Sequence, residues 1–249
     1  MDKLTNDNYS KVFGPKAIIG MIHMAGDKPV DRALEELALL EREGVDGAIV
    51  ENYHTRDLNL IEAVLKVTSV SSFKMAIGVN ILPNNFSHAM NLVQRYNGKF
   101  IQLDYISGTY ARGDHLLELD VAAYTDAKNK YPNIVVLGGV WPKYYELRRF
   151  DEKNLPHYLD DATKRAEAVV VTGDGTGEET PLSKIQLFRD TIDRHPLIVG
   201  AGLNAKNAYA QLNIADGAIV GSYFKDGDTE MPMIQERVKE IMDIAKSLR

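Results

Sequence analysis

Short apolar runs recur along the chain, and between them apolar side chains return every three or four positions. A run apolar on both faces suits a buried strand of a parallel sheet, and the three-to-four spacing marks one face of a helix. The runs fall at 17–23, 46–50, 74–82, 100–105, 134–140, 168–172, 196–200 and 215–221. The helical intervals fall at 29–43, 58–70, 84–96, 116–131, 159–166, 182–194, 204–214 and 233–248. Gly44 is placed to stop the first helix, and Asn204 to cap the start of the seventh. Strand and helix thus alternate eight times, which predicts an α/β fold, a single (β/α)8 barrel over residues 1–249 with a polar extension at 1–14. An open, doubly wound sheet is the competing arrangement, but eight regular units favour closure. Two glycine-bearing stretches, 107–114 and 173–177, read as loops that close over a site, and 144–156 is charged and fits neither pattern.

Length agrees with this reading, since 249 residues match one barrel of ~250. Hydrophobic residues at 45% and charged residues at 26% are ordinary for a globular domain. A formal net charge of −6 without a basic cluster disfavours a nucleic-acid partner. There is no cysteine, so disulfides, thiolate metal sites and a cysteine nucleophile are excluded. No apolar run approaches the ~20 residues that span a bilayer, and the polar start lacks a signal-peptide core. The expectation is a cytoplasmic protein without membrane insertion, forming a homo-oligomer as an open option.

In a barrel, the side chains at the C-terminal strand ends converge on one pocket. Here those ends carry His23, Glu51, Asn52, Asn80, Asp104, Trp141, Lys143, Thr172 and Asp174. Glu51 follows Ala48-Ile49-Val50, so partial desolvation and the neighbouring Asp104 are expected to raise its pKa toward that of a general base. His23 is a candidate donor to a carbonyl or proton shuttle, and Asp104 a partner for Glu51. Lys143 follows Pro142 beyond its strand, which suits an electrostatic role better than a Schiff base. Asn52, Asn80, Lys143, Thr172, Asp174 and Thr176 are the candidate substrate-binding residues. The seventh and eighth strands both end at glycine, and Gly200, Gly202, Gly221 and Ser222 are the candidate phosphate site. Tyr105, Tyr110, Trp141 and Tyr144 either stack on a base or sugar or only pack. No cofactor and no metal are expected, although a divalent cation shared by the two carboxylates with water is an alternative.

Several stretches resemble the BtpA/SgcQ family of TIM-barrel proteins. They are Ile19-Gly20-Met21-Ile22-His23, Gly44-Val45-Asp46-Gly47 with Val50-Glu51-Asn52, and Gly78-Val79-Asn80-Ile81-Leu82 with Asn84. Phe100-Ile101, Val169-Val170-Val171-Thr172-Gly173 with Thr176-Gly177, Val199-Gly200-Ala201-Gly202, the run from Asp216 to Gly221, and Lys225 continue the match. The chain departs from the family pattern at Met24-Ala25-Gly26-Asp27-Lys28-Pro29, at Gln102-Leu103-Asp104, at Gly138-Gly139-Val140 and at Tyr144. The resemblance implies the fold and a site rather than a reaction. Residues and resemblance together predict an enzyme acting on a phosphorylated sugar or nucleotide-like small molecule by acid–base chemistry, as an isomerase, epimerase or lyase. The family takes its name from an effect on photosystem I accumulation, so the alternative is a non-catalytic barrel that binds a ligand or protein and assists assembly or regulation.

Overall fold

The computed structural model describes residues 7–145 and 152–249. Eight parallel strands close on themselves: β1 (Ala17–Ile22), β2 (Gly47–Glu51), β3 (Ala76–Asn80), β4 (Phe100–Leu103), β7 (Val135–Gly139), β8 (Ala168–Val171), β9 (Leu197–Val199) and β10 (Gly217–Val220). Closure is made by β1 pairing with β10, Ile19 standing opposite Ile219. The predicted (β/α)8 barrel is therefore the fold.

Helices α2 (Pro29–Glu43), α3 (Leu58–Thr68), α4 (Phe86–Arg95), α5 (Val121–Lys130), α6 (Leu155–Arg165), α7 (Leu182–Ile192), α8 (Ala208–Ile214) and α9 (Gln235–Ser247) follow the strands in turn. Alternation along each strand divides the core into two layers. On β1, Ile18 and Ile22 join the layer between strands and helices, where Leu37 and Leu40 of α2 meet them. Ile19 and Met21 face the barrel interior with Ile49, Phe100, Val135, Leu137, Val170 and Ile198. Each such fully buried large side chain contributes roughly 1.5–3 kcal/mol. Gly78 leaves space for the largest of them, since a Cβ there would stand 2.5 Å from the Phe100 ring.

The N-terminal extension contains more structure than its polar composition suggests. Its described part forms α1 (Asp7–Val12), and Tyr9 and Phe13 are buried in the interior layer. Phe13 meets Phe100 edge-on at 5.0 Å and closes the barrel at the end where the strands begin. Residues 1–6 of that extension, and 146–151 of the unassigned stretch 144–156, lie outside the described residues. The rest of that stretch divides between a 3-10 turn at Glu152–Asn154 and the start of α6, four residues before the predicted helix at 159.

Three local readings are corrected. The helix expected from 116 starts at Val121, where the Asp120 side chain accepts from Ala123 N–H at 3.0 Å. The residues before it form a hairpin, β5 (Tyr110–Arg112) with β6 (His115–Leu117), so 107–114 is not simply a loop. Its base is tied down: fully buried Tyr110 donates to the Ser107 carbonyl at 2.8 Å, and Ser107 donates to the Tyr158 carbonyl. Finally, α8 begins after Asn207, not after Asn204. Asn204 instead forms a turn, its side chain accepting from Lys206 N–H at 2.9 Å. Gly44 does end α2, in a left-handed conformation with φ of 78°. Among the described residues no helix is long and apolar enough to cross a membrane.

Candidate active site

At the C-terminal mouth of the barrel lies a cavity of about 560 Å³, within the usual range of small-molecule sites. His23, Glu51, Asp104, Lys143, Thr172 and Thr176 line it, together with Gly200, Gly202, Gly221 and Ser222. Ten of the predicted site residues thus share one space, because each stands at or just beyond a strand end.

Glu51 ends β2 and is 7% exposed. Asn80, its register partner on β3, donates from Nδ2 to Glu51 Oε1 at 2.7 Å. Burial is the largest influence on this carboxyl, and the charge of Asp104 adds to it; Lys143 and the Asn80 bond oppose them. The result is a pKa raised to about 7. At neutral pH such a group is present in comparable amounts as acid and base, the condition that suits proton transfer.

His23 follows β1 and is 4% exposed. Its ring meets Tyr53 edge-on at 5.3 Å, and its Cε1–Nε2 edge faces Gly221, where a Cβ would stand 2.7 Å from Cε1. Nδ1 is buried without a hydrogen-bond partner. Burial, then the positive charge of Lys225, hold this imidazole well below its usual pKa, with His54 and Lys143 adding smaller effects. It is therefore neutral at physiological pH. A sealed lone pair costs less than a sealed N–H, which favours the tautomer with the proton on Nε2, the nitrogen that can donate.

Asp104 stands just past β4 and accepts from the Tyr145 hydroxyl at 2.7 Å. Lys143 acts electrostatically on both Glu51 and His23, and its backbone N–H donates to Thr172 Oγ1 at 3.1 Å. At the outer mouth, Thr176 N–H donates to the Tyr144 hydroxyl at 2.7 Å and Thr176 Oγ1 lies 3.4 Å from the Tyr53 hydroxyl. This joins the loops after β2, β7 and β8. Beneath them Lys184 of α7 donates to the Thr172 carbonyl at 2.8 Å and lies 4.4 Å from the Trp141 ring centre. Burial lowers its pKa to about 8.

Two candidates lie apart from the cavity, and a third lies below it. Asn52 braces Leu82, accepting from its N–H at 2.7 Å and donating to its carbonyl at 3.3 Å. Asp174 is exposed and does not line the cavity. Asn80 is fully buried beneath Glu51, which it reaches instead of open space. Among the aromatic candidates, Tyr144 lines the cavity, whereas Tyr110 is core. Pattern reasoning did not select Tyr53, Gln102 or Tyr145, which also line it. Gln102 and Tyr53 carried the usable signal of standing on, or two residues beyond, a strand. Among the described residues no group of three or more histidines and carboxylates is placed to hold a metal.

Gly202 has φ of +70°, and a Cβ on it would stand 2.0 Å from the Glu178 carbonyl oxygen. Its lack of a side chain admits the loop after β8, so a side chain at 202 would displace that loop.

The model of the BtpA family matches residues 15–247. An uncharacterized protein of Methanocaldococcus jannaschii is 28% identical, covering 96% of this chain and 98% of its own length. The photosystem I biogenesis protein BtpA of Synechocystis is 26% identical over 79% of this chain and 72% of its own. Among solved structures, thiamine phosphate pyrophosphorylase of Pyrococcus furiosus has a TM-score of 0.64 at 12% identity, covering 94% of this chain and 96% of its own. N-(5'-phosphoribosyl)anthranilate isomerase from the same organism has 0.62 at 16%, covering 93% and 99%. At such identities these structures share the fold.

Proposed function

The chain belongs to the BtpA family, and from that premise and the geometry of the mouth we propose that it is an enzyme moving a proton next to a carbonyl in a phosphorylated sugar or nucleotide-like substrate. The observation that carries this reading is a buried Glu51 with a pKa of about 7 in one cavity with a neutral His23. Glu51 as carboxylate takes a proton from the carbon, and the electron pair of that C–H bond moves toward the carbonyl oxygen. His23 donates from Nε2 to the oxygen as its negative charge develops; a neutral donor there avoids stabilising the ground state as strongly as a cation would. The acid form of Glu51 then returns the proton to the neighbouring carbon, giving isomerisation; epimerisation would need a second acid to protonate the same carbon from its opposite face, and a lyase would break a bond from the same intermediate. Asp104, bonded to Tyr145, sets the basicity of Glu51. The phosphate is assigned to Gly202, Gly221 and Ser222, just beyond the last two barrel strands.

The test is solvent deuterium exchange, followed by proton NMR, over a panel of phosphorylated ketoses, aldoses and nucleotides. Enzyme-dependent loss of one carbon-bound proton signal supports the reading, and no exchange or turnover across such a panel counts against it. The name of the Synechocystis relative favours a second reading, a non-catalytic assembly role. That reading has no need of a carboxylate poised near neutrality, and an assembly activity surviving Glu51→Gln would support it.

A further inference from the structure

The ladder between β7 and β8 runs as far as Gly139 opposite Val170, and Val140 N–H still donates to the Val170 carbonyl at 3.3 Å. Beyond that point both chains leave the sheet, and their next carbonyls need donors from elsewhere. Lys184, half-buried in the first turn of α7, supplies them. Its ammonium donates to the Thr172 carbonyl at 2.8 Å and to the Trp141 carbonyl at 3.4 Å, and it lies 4.4 Å from the centre of the Trp141 ring. Neither burial nor the helix favours a cation here, since the N-terminal end of a helix dipole is itself positive. Asp174, in the loop after β8, favours the charged form.

The same two segments meet again at the cavity wall. Lys143 N–H donates to Thr172 Oγ1 at 3.1 Å, and both residues line the cavity. Trp141, two residues before Lys143, has φ of +56°, a strained conformation for a bulky side chain. It is held at both its peptide groups: its N–H donates to the Tyr110 hydroxyl at 2.9 Å, and its carbonyl accepts from Lys184. Lys184 itself lies outside the cavity lining.

We propose that Lys184 is a positioning residue of the site: its ammonium clamps the loops after β7 and β8 together from behind, and so holds Lys143 and Thr172 at the cavity wall. This rests on the reading of those two residues as substrate-binding and adds what keeps them in place. Without the ammonium, the Thr172 and Trp141 carbonyls lose this shared donor, and the turn at Trp141 is freed to relax away from Thr172.

The experiment is amide hydrogen exchange, read by NMR on 15N-labelled full-length protein without substrate, in wild type, Lys184→Met and Lys184→Arg. Methionine keeps an apolar stem against the Trp141 ring but cannot donate, whereas arginine keeps both charge and donors. In Lys184→Met the Lys143 amide should exchange ~10-fold or more faster, as expected for losing a hydrogen bond from a charged donor. Amides of β1 and β2, on the opposite side of the barrel, should keep their wild-type rates. Trp141 is the sole tryptophan, so its emission maximum should shift in the same variant. Lys184→Arg should restore both signals. For a substrate found by the deuterium-exchange panel, kcat/KM should fall ~10-fold in Lys184→Met and recover in Lys184→Arg. A wild-type Lys143 amide exchanging as freely as exposed loop amides, or one unchanged in Lys184→Met, overturns the proposal. So does faster exchange spread evenly over the barrel, which is general destabilisation, or an equal loss in Lys184→Arg, which is packing alone. An unchanged kcat/KM overturns it too. The amide measurement needs no substrate: its failure would leave proton abstraction by Glu51 standing, and failure of the deuterium-exchange assay would leave the clamp intact.

Discussion

Asn80 and Glu51 stand opposite each other on β3 and β2, and a 2.7 Å hydrogen bond joins the amide nitrogen to the carboxylate. The bond fixes the orientation of a carboxyl that the barrel carries almost fully buried at its mouth. It also favours the charged form, so it moderates a pKa that burial and Asp104 would otherwise push higher.

A raised carboxyl pKa makes folding depend on pH in a defined direction. Between the ordinary value of 4.5 and about 7, the native state holds a proton on Glu51 that the unfolded chain has lost. Stability from this group is therefore present below the lower value and falls as pH rises to the upper one. The gap corresponds to roughly 3 kcal/mol. Denaturant titrations at pH 5 and pH 8 should show Glu51→Gln losing less stability over that interval than wild type. Parallel curves for the two proteins would contradict the assignment.

Asp104 raises the Glu51 pKa through its charge. Asp104→Asn should therefore move the acidic limb of the kcat/KM profile to lower pH, since Glu51 then ionises more readily. A limb that stays in place would mean that another group controls it.

Glycines at the eighth and seventh strand ends should respond differently to added methyl groups. Gly221→Ala presses on the His23 ring and should alter the imidazole NMR signal and weaken phosphate binding in a folded protein. Gly202→Ala meets the Glu178 carbonyl at positive φ and should lower stability by about 2 kcal/mol or more. Thermal melts alongside phosphate titrations check both, and equal stability losses at the two positions would contradict the distinction.

Bound phosphate is the most direct check on the assigned anion site. A crystal grown with phosphate should show it against Gly202, Gly221 and Ser222, and a phosphate found instead beside Lys184 or at the strand two to four side would relocate the substrate.

The barrel was legible because each strand is apolar on both faces and each helix on one, as Ile18 and Ile19 on β1 show by burying in opposite layers. Strand-end polar residues were legible for the same reason, since the topology brings His23, Glu51 and Asp104 to one cavity. What sequence did not disclose depends on contacts distant in the chain. The start of α5 was masked by Leu116 and Leu117, whose apolar character serves a hairpin. Asn52 looked like a ligand because it follows Glu51, yet alternation along the chain turns it toward Leu82. Tyr9 and Phe13 sit in a polar segment, and only the tertiary fold shows them closing the barrel floor.

The central claim, that Glu51 is the proton acceptor, is tested by Glu51→Gln once deuterium exchange has identified a substrate. Glutamine keeps the shape of the side chain and its reach to Asn80 but cannot take the proton. Turnover should fall by ~10²-fold or more, with substrate affinity from calorimetry little changed. A Glu51→Gln protein that turns over at close to the wild-type rate would contradict the account and pass the role of base to Asp104 or His23.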